Sequence, residues 1–255
     1  AFLSTSAGGG VIQTSASESL LCAIIGGAQP SASGPRGRRA PSQGNRLVMY
    51  ISDQTHSIGE KGRNGAGPAA PAHHPDAVVA RTDPGNYGMH PDDVAAAMQE
   101  DVAAVSSRSS WCRPSARRPR PRSTRSASLG RRRARAQQEP VWVHVDGAYG
   151  GAATLCPEFQ HWFDGVEDVD SLCVNAHKWM MIAVDCSMMR SRSIPNTSRS
   201  DFMSQINYKD WQVPLGRRFR ALSFGSRCVA LVPRGLRAHI RRSIELAKRA
   251  ESQLH

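Results

Sequence analysis

Between residues 106 and 138 the chain carries eleven arginines (Arg108, Arg113, Arg117, Arg118, Arg120, Arg122, Arg125, Arg131, Arg132, Arg133, Arg135) and no acidic residue. Such a run does not enter a core, because an unpaired guanidinium costs several kcal/mol to desolvate. The segment must loop away, so whatever folds is assembled from the residues before 106 and after 138. The same count settles the meaning of the net charge. The 255 residues sum to +12, and setting the eleven arginines aside leaves about +1 for the rest. With Trp111 as its single aromatic residue, the segment reads as a solvated stretch in preference to a nucleic-acid-binding arm.

On the N-terminal side, residues 8–26 read as a Gly-rich turn followed by an apolar helix, with Ser15 and Glu18 at capping-box spacing. Residues 27–45 and 61–87 are loop-like in composition, and Arg46–Ser52 is an apolar run of strand length. Pro91 and the acids Asp92 and Asp93 open a helix over Pro91–Val105, with Val94, Met98 and Val102 along one face. Beyond the arginines, Val141–Val145 is a strand ending at Asp146, with Gly147 and a Gly150-Gly151 turn after it. Leu172–Val174 is a second short strand, and Leu236–Leu254 an amphipathic helix carrying Ile240, Ile244 and Leu246. Strands alternating with helices, each strand ending in reactive side chains, predict an open α/β sheet with its site at the strand ends.

Several classes are disfavoured. No run of about 18 apolar residues exists, so no membrane span is expected. The opening AFLSTSAGGG lacks an initiator Met, a basic region and an apolar stretch. It therefore reads as the inside of a longer sequence and not as a signal peptide. Six scattered cysteines without a CxxC pair suit a reduced, cytoplasmic protein with no metal site, and His73-His74 reads as a solvated loop. Walker A, GxSxG and HExxH motifs are absent.

The chemically informative block runs from HVDGAYGGAATLCPEF to DSLCVNAHKWMMIAVDCSMM. Within it Ser171-Leu172, Lys178-Trp179-Met180, Val184, Cys186, Met189 and Arg192 span 22 residues. Their spacing resembles the cofactor-lysine signature of group II pyridoxal-phosphate-dependent decarboxylases, the aromatic-L-amino-acid, tyrosine and histidine decarboxylases. GGGVIQTSASES (8–19), SDQTHSIGEK (52–61), NYKDWQVPLGRRFRAL (207–222) and RGLRAHIRRSIELAK (234–248) agree in the same order, so the resemblance covers roughly half the residues.

The resemblance implies a pyridoxal-phosphate-transferase-like fold (fold type I), a mixed central sheet flanked by helices, incomplete at both ends. Residues 1–105 and 139–222 would form the cofactor-binding large domain around the aberrant 106–138 segment, and 223–255 would begin a small domain. Lys178 would bind the aldehyde of pyridoxal 5'-phosphate and Asp146 would pair with the ring nitrogen. Ala148 would lie against the ring, His56 would stack on it, and His177 would be a catalytic neighbour. Ser15, Ala16, Ser17 and Asn175 would hold the phosphate, the first three at a helix N-terminus.

The implied activity is α-decarboxylation of an aromatic L-amino acid by a homodimer; an aldehyde synthase of the same family and an inactive fragment are the alternatives. In several places the sequence departs from the family. Residues 106–138 replace an apolar strand, with length preserved and content altered as a reading-frame error would do. Ser223–Pro233 lacks the family's aromatic helix, the stretch between Cys186 and Tyr208 is short, and Thr14 replaces a glycine.

Overall fold

The computed structural model describes residues 9–28, 49–51, 55–59, 61, 91–104, 142–191 and 208–254. The Arg-rich segment and most of the expected loops at 27–45 and 61–87 lie outside the described residues, as does most of the strand expected at 46–52. Four strands form one mixed sheet: β1 (Gly9–Gln13), β2 (His144–Asp146), β3 (Ser171–Asn175) and β4 (Ser187–Ser191), in the order β1-β4-β3-β2. The β2–β3 pair is parallel; β3–β4 and β4–β1 are antiparallel. A parallel pair needs a long crossover. Here it runs through three 3-10 segments, Gly150–Leu155, Pro157–Phe163 and Val166–Asp168.

Side chains alternate across a sheet, and the two faces bury different material. On one face Val11 and Met189 pack under helix α1 (Ala16–Ala28), which buries Leu20, Ala23 and Ile24 at helical spacing. On the other, Ile12, Val174 and Met188 meet Ala152, Ala153, Trp179 and Met180, together with Leu236 and Ile240 of the long C-terminal helix. A third cluster, Val143, Val145, Phe163, Val169 and Leu172, seals the β2 edge. Helix α2 (Pro91–Ala104) forms as its capping residues predict, with Val94 and Met98 buried. A single turn of helix, α3 (Ala176–Trp179), follows β3 directly.

Three expectations are corrected. The Gly-rich turn is instead strand β1: Gly9 pairs with Ser191, and a side chain there would run into the Trp211 indole. Glycine at that position makes room for the tryptophan, not for a bend. Second, the last helix, α4, spans Arg220–Leu254, so it begins well before the expected Leu236 and takes in Ser223–Pro233. Pro233 removes one helix donor and deprives the Val229 carbonyl of its partner, but Val229 is 80% exposed and water can take that place. The start of α4 is fastened by Arg220, whose guanidinium donates to the Asp185 carboxylate at 2.6 Å and to the Asp185 carbonyl at 3.1 Å. Third, Leu246 is exposed, because it sits about 200° round the helix from Ile244.

Among the described residues no helix is long and apolar enough to cross a membrane. Among the same residues no group of three or more His, Cys, Asp or Glu is placed to hold a metal.

The packing of α4 can be checked directly. Ile240→Ala removes a side chain with no exposed surface and should cost about 2–5 kcal/mol in urea unfolding. Leu246→Ala, on the solvent side, should cost under about 0.5 kcal/mol.

Candidate active site

Asp146 is the last residue of β2 and lies opposite Cys173 on β3. The chain then turns tightly against its neighbour strand: the Gly147 amide donates to the Cys173 carbonyl at 3.0 Å. A Cβ on Gly147 would stand 2.9 Å from that carbonyl oxygen, so glycine is required by close approach. Asp146 Oδ1 accepts the Ala148 amide at 2.9 Å and the Cys173 thiol at 3.6 Å. Its second oxygen accepts no hydrogen bond among the described residues.

Two residues further along β3 is Asn175, whose amide donates to the Ala148 carbonyl at 3.1 Å and ties the two strand ends together. The Asn175 side chain is buried, and its Oδ1 has no hydrogen-bond partner among the described residues. A half-turn of that amide would present its NH₂ instead.

His177 and Lys178 sit on α3, one turn beyond β3. The His177 ring is held by Cys186, whose amide donates to Nδ1 at 2.8 Å, while the His177 amide donates to the Cys186 carbonyl at 3.2 Å. Burial lowers the His177 pKa below its ordinary value, so the ring is neutral near pH 7. With Nδ1 accepting, its proton resides on Nε2. Lys178 is exposed and forms no hydrogen bond or ion pair among the described residues. Because β2 and β3 run parallel, Asp146 at the end of β2 and Lys178 just beyond the end of β3 stand at the same edge of the sheet. Trp179 stacks on Tyr149 with centroids 4.9 Å apart and ring planes 5° from parallel.

Gln13, Ser187 and Asn175 face one another across β1, β4 and β3, and α1 starts just beyond Gln13. Ser19 donates to Gln13 Oε1 at 2.6 Å and lies 3.4 Å from the Ser187 hydroxyl. Ser15 caps the helix by accepting the Glu18 amide at 3.4 Å. Glu18 reaches one residue further back than a capping box requires, taking the Thr14 amide at 3.0 Å and the Thr14 hydroxyl at 2.7 Å. The amides of Ala16 and Ser17 belong to the first turn, which has no intrahelical acceptors. His56 lies in a short turn, its Nδ1 accepting the Ile58 amide at 3.2 Å. Ile58 and Ile51 pack on the α1-side cluster, which anchors this turn on the face that carries Asp146 and Asn175.

The structure thus brings Asp146, Ala148, Asn175, His177 and Lys178 to one strand-end edge and Ser15, Ala16 and Ser17 to the helix start beside it. Two participants escaped the sequence reading, Cys173 and the Tyr149–Trp179 stack. Alternation along Leu172–Val174 carried the signal for the first, since position 173 must share a face with Asp146 once the strands pair.

Residues 132–255 match the family model described as the pyridoxal-dependent decarboxylase conserved domain. Across 98% of its length the chain is 35% identical to phenylacetaldehyde synthase of Arabidopsis thaliana, and across 99% it is 36% identical to tryptophan decarboxylase 2 of Oryza sativa subsp. japonica. It spans 52% of each, so the chain covers about half the length of these relatives. The crystal structure of Catharanthus roseus tryptophan decarboxylase with L-tryptophan superimposes with a TM-score of 0.78 at 30% identity, over 96% of this chain and 51% of that one. The 4-hydroxyphenylacetaldehyde synthase of Rhodiola rosea gives the same TM-score and identity over 97% and 51%.

One neighbour of the site gives a pH test. His144 is fully buried, its Nδ1 is 2.8 Å from the Ser171 hydroxyl, and burial lowers its pKa from 6.5 to about 4. Between those values the unfolded chain takes up a proton that the folded chain refuses. Stability is therefore full above about pH 6.5 and falls as the pH drops toward 4, by a total of order 3 kcal/mol. Urea midpoints at pH 7 and pH 5 should show this loss, and His144→Asn should shrink the difference.

Proposed function

This chain belongs to the pyridoxal-dependent decarboxylase family, and from that premise we propose that it carries the cofactor-binding half of an enzyme releasing carbon dioxide from an aromatic L-amino acid. The single observation that carries the reading is the pairing of β2 with β3. What supports it is that the strands run parallel, so that Asp146, with one oxygen accepting no hydrogen bond among the described residues, and Lys178, with no partner among them, stand at one edge of the sheet.

The residues suit pyridoxal phosphate at several points. Asp146 offers Oδ2 to a protonated ring nitrogen, and the small Gly147 and Ala148 leave space for a flat ring. The orphaned Asn175 amide and the first-turn amides of α1 offer partners to a phosphate, aided by the positive end of the helix dipole. When bound, the cofactor supplies an electron sink for the pair left behind as the carboxylate departs.

The protein's part is to hold and to shield. Asp146 keeps a proton at the ring nitrogen, and Lys178 anchors the aldehyde carbon. His56 covers the ring from the α1 side. His177, its ring fixed by Cys186, presents Nε2–H toward the substrate. Residues 1–105 and 139–222 act as the large domain, and the helix beginning at Arg220 leads toward a smaller one. A homodimer in the cytoplasm completes the proposal.

A second reading is favoured by one observation: the relatives include aldehyde synthases as well as decarboxylases. Substrate assays that separate amine from aldehyde, with oxygen uptake followed in parallel, discriminate between the two.

The direct test is to add pyridoxal phosphate, reduce with borohydride and map the labelled peptide. The expected result is a pyridoxyl group on Lys178, lost in Lys178→Ala. Label spread over Lys209, Lys248 and other surface lysines would overturn the assignment.

A further inference from the structure

We propose that Cys173 is a positioning residue for Asp146: its thiol, with the Ala148 amide, engages Oδ1 and thereby turns Oδ2 outward to meet the ring nitrogen of the cofactor. The inference rests on the functional reading above and deepens it. A carboxylate at a strand end can rotate about its side chain, and rotation would exchange the oxygens or swing both away. Two donors on one oxygen, one from the turn after β2 and one from β3, remove that freedom. The Ala148 amide arrives along the chain and the Cys173 thiol from across the β2–β3 ladder, at the position that pairs with Asp146.

The thiol is fit for the task. Cys173 has no exposed surface, so no water competes for its thiol. Burial, and then the negative charge of Asp146, push its pKa well above the ordinary thiol value. It remains S–H, and therefore a donor, near neutral pH. Its backbone is equally fixed: its carbonyl takes the Gly147 amide, leaving no space for the strands to slide. Sulfur is a weak donor, so the effect is orientation and not a new charge.

Two measurements test this, one with the cofactor and one without. Cys173→Val fills the site without a donor, Cys173→Ala removes the donor and some volume, and Cys173→Ser restores a hydroxyl donor. Pyridoxal phosphate binding, followed by absorbance, should weaken about tenfold in both Val and Ala variants, the scale expected for losing one hydrogen bond to a charged group. The pH midpoint of the bound cofactor's visible band should move with it, and Cys173→Ser should recover most of both. Equal affinity and an unmoved midpoint in Cys173→Val would overturn the proposal.

The second measurement is the infrared S–H stretch of Cys173, isolated as the difference between the parent protein and Cys173→Ser. In Asp146→Asn it should shift to higher frequency as the acceptor weakens; a band that ignores Asp146→Asn also overturns the proposal. A band that responds, in a parent protein that takes no label on Lys178, would leave the Cys173–Asp146 contact standing while the enzyme reading fell.

Discussion

The contact on which the site depends is the one made where no side chain fits, the Gly147 amide on the Cys173 carbonyl. Two parallel strands seldom end level by chance, and a site at their ends needs them level to within a fraction of an ångström. Here the register is fixed by a close approach that any Cβ would break. From that one contact follow the position of Asp146 opposite Cys173, the bond from Asn175 to Ala148, and the start of α3 with Lys178 one turn further on. A shift of a single residue would move every side chain on β3 to the opposite face.

The α1 face is unusual for a sheet interior in being both buried and polar. Gln13, Ser187, Asn175, Ser171 and His144 all lie on it with little or no exposure. Most of these atoms are paired: Gln13 with Ser19 and the Trp211 carbonyl, and His144 with Ser171. Burying polar groups costs stability unless each is satisfied. Two buried atoms of this row have no partner among the described residues, His144 Nε2 and Asn175 Oδ1, and the second falls where the row leads to the α1 N-terminus. An apolar row would be more stable and would offer a phosphate nothing.

The other face does the mechanical work. α4 is held along its length, by Arg220 on Asp185 at its start and by Arg237 on the Leu155 carbonyl and Arg241 on Glu158 further along. The Arg241–Glu158 pair is exposed and adds little to stability. Leu236 and Ile240, buried between these contacts, carry the packing and support the crossover that returns the chain from β2 to β3.

What the sequence disclosed, and what it hid, follow from the range of the interactions involved. The strand ends that carry Asp146, Asn175, His177 and Lys178 were legible in the local pattern of apolar runs closed by polar residues, while the roles proposed for those four came from the resemblance. The helices at Ala16 and Pro91 were likewise legible from their caps. Gly9 misled because the reason for glycine lies some two hundred residues away, in the Trp211 ring, and no local pattern can report it. Pro233 and the scarcity of aromatics hid the first half of α4, where exposure of the Val229 turn to water removes most of the penalty that proline would impose inside a core. Cys173 stayed invisible for a further reason. A cysteine between Leu172 and Val174 looks like packing, and only the register of β2 against β3 turns its thiol toward a carboxylate. Residues whose role is set by their own neighbours in sequence can be read early; those whose role is set across a strand pair must wait for the pair to form.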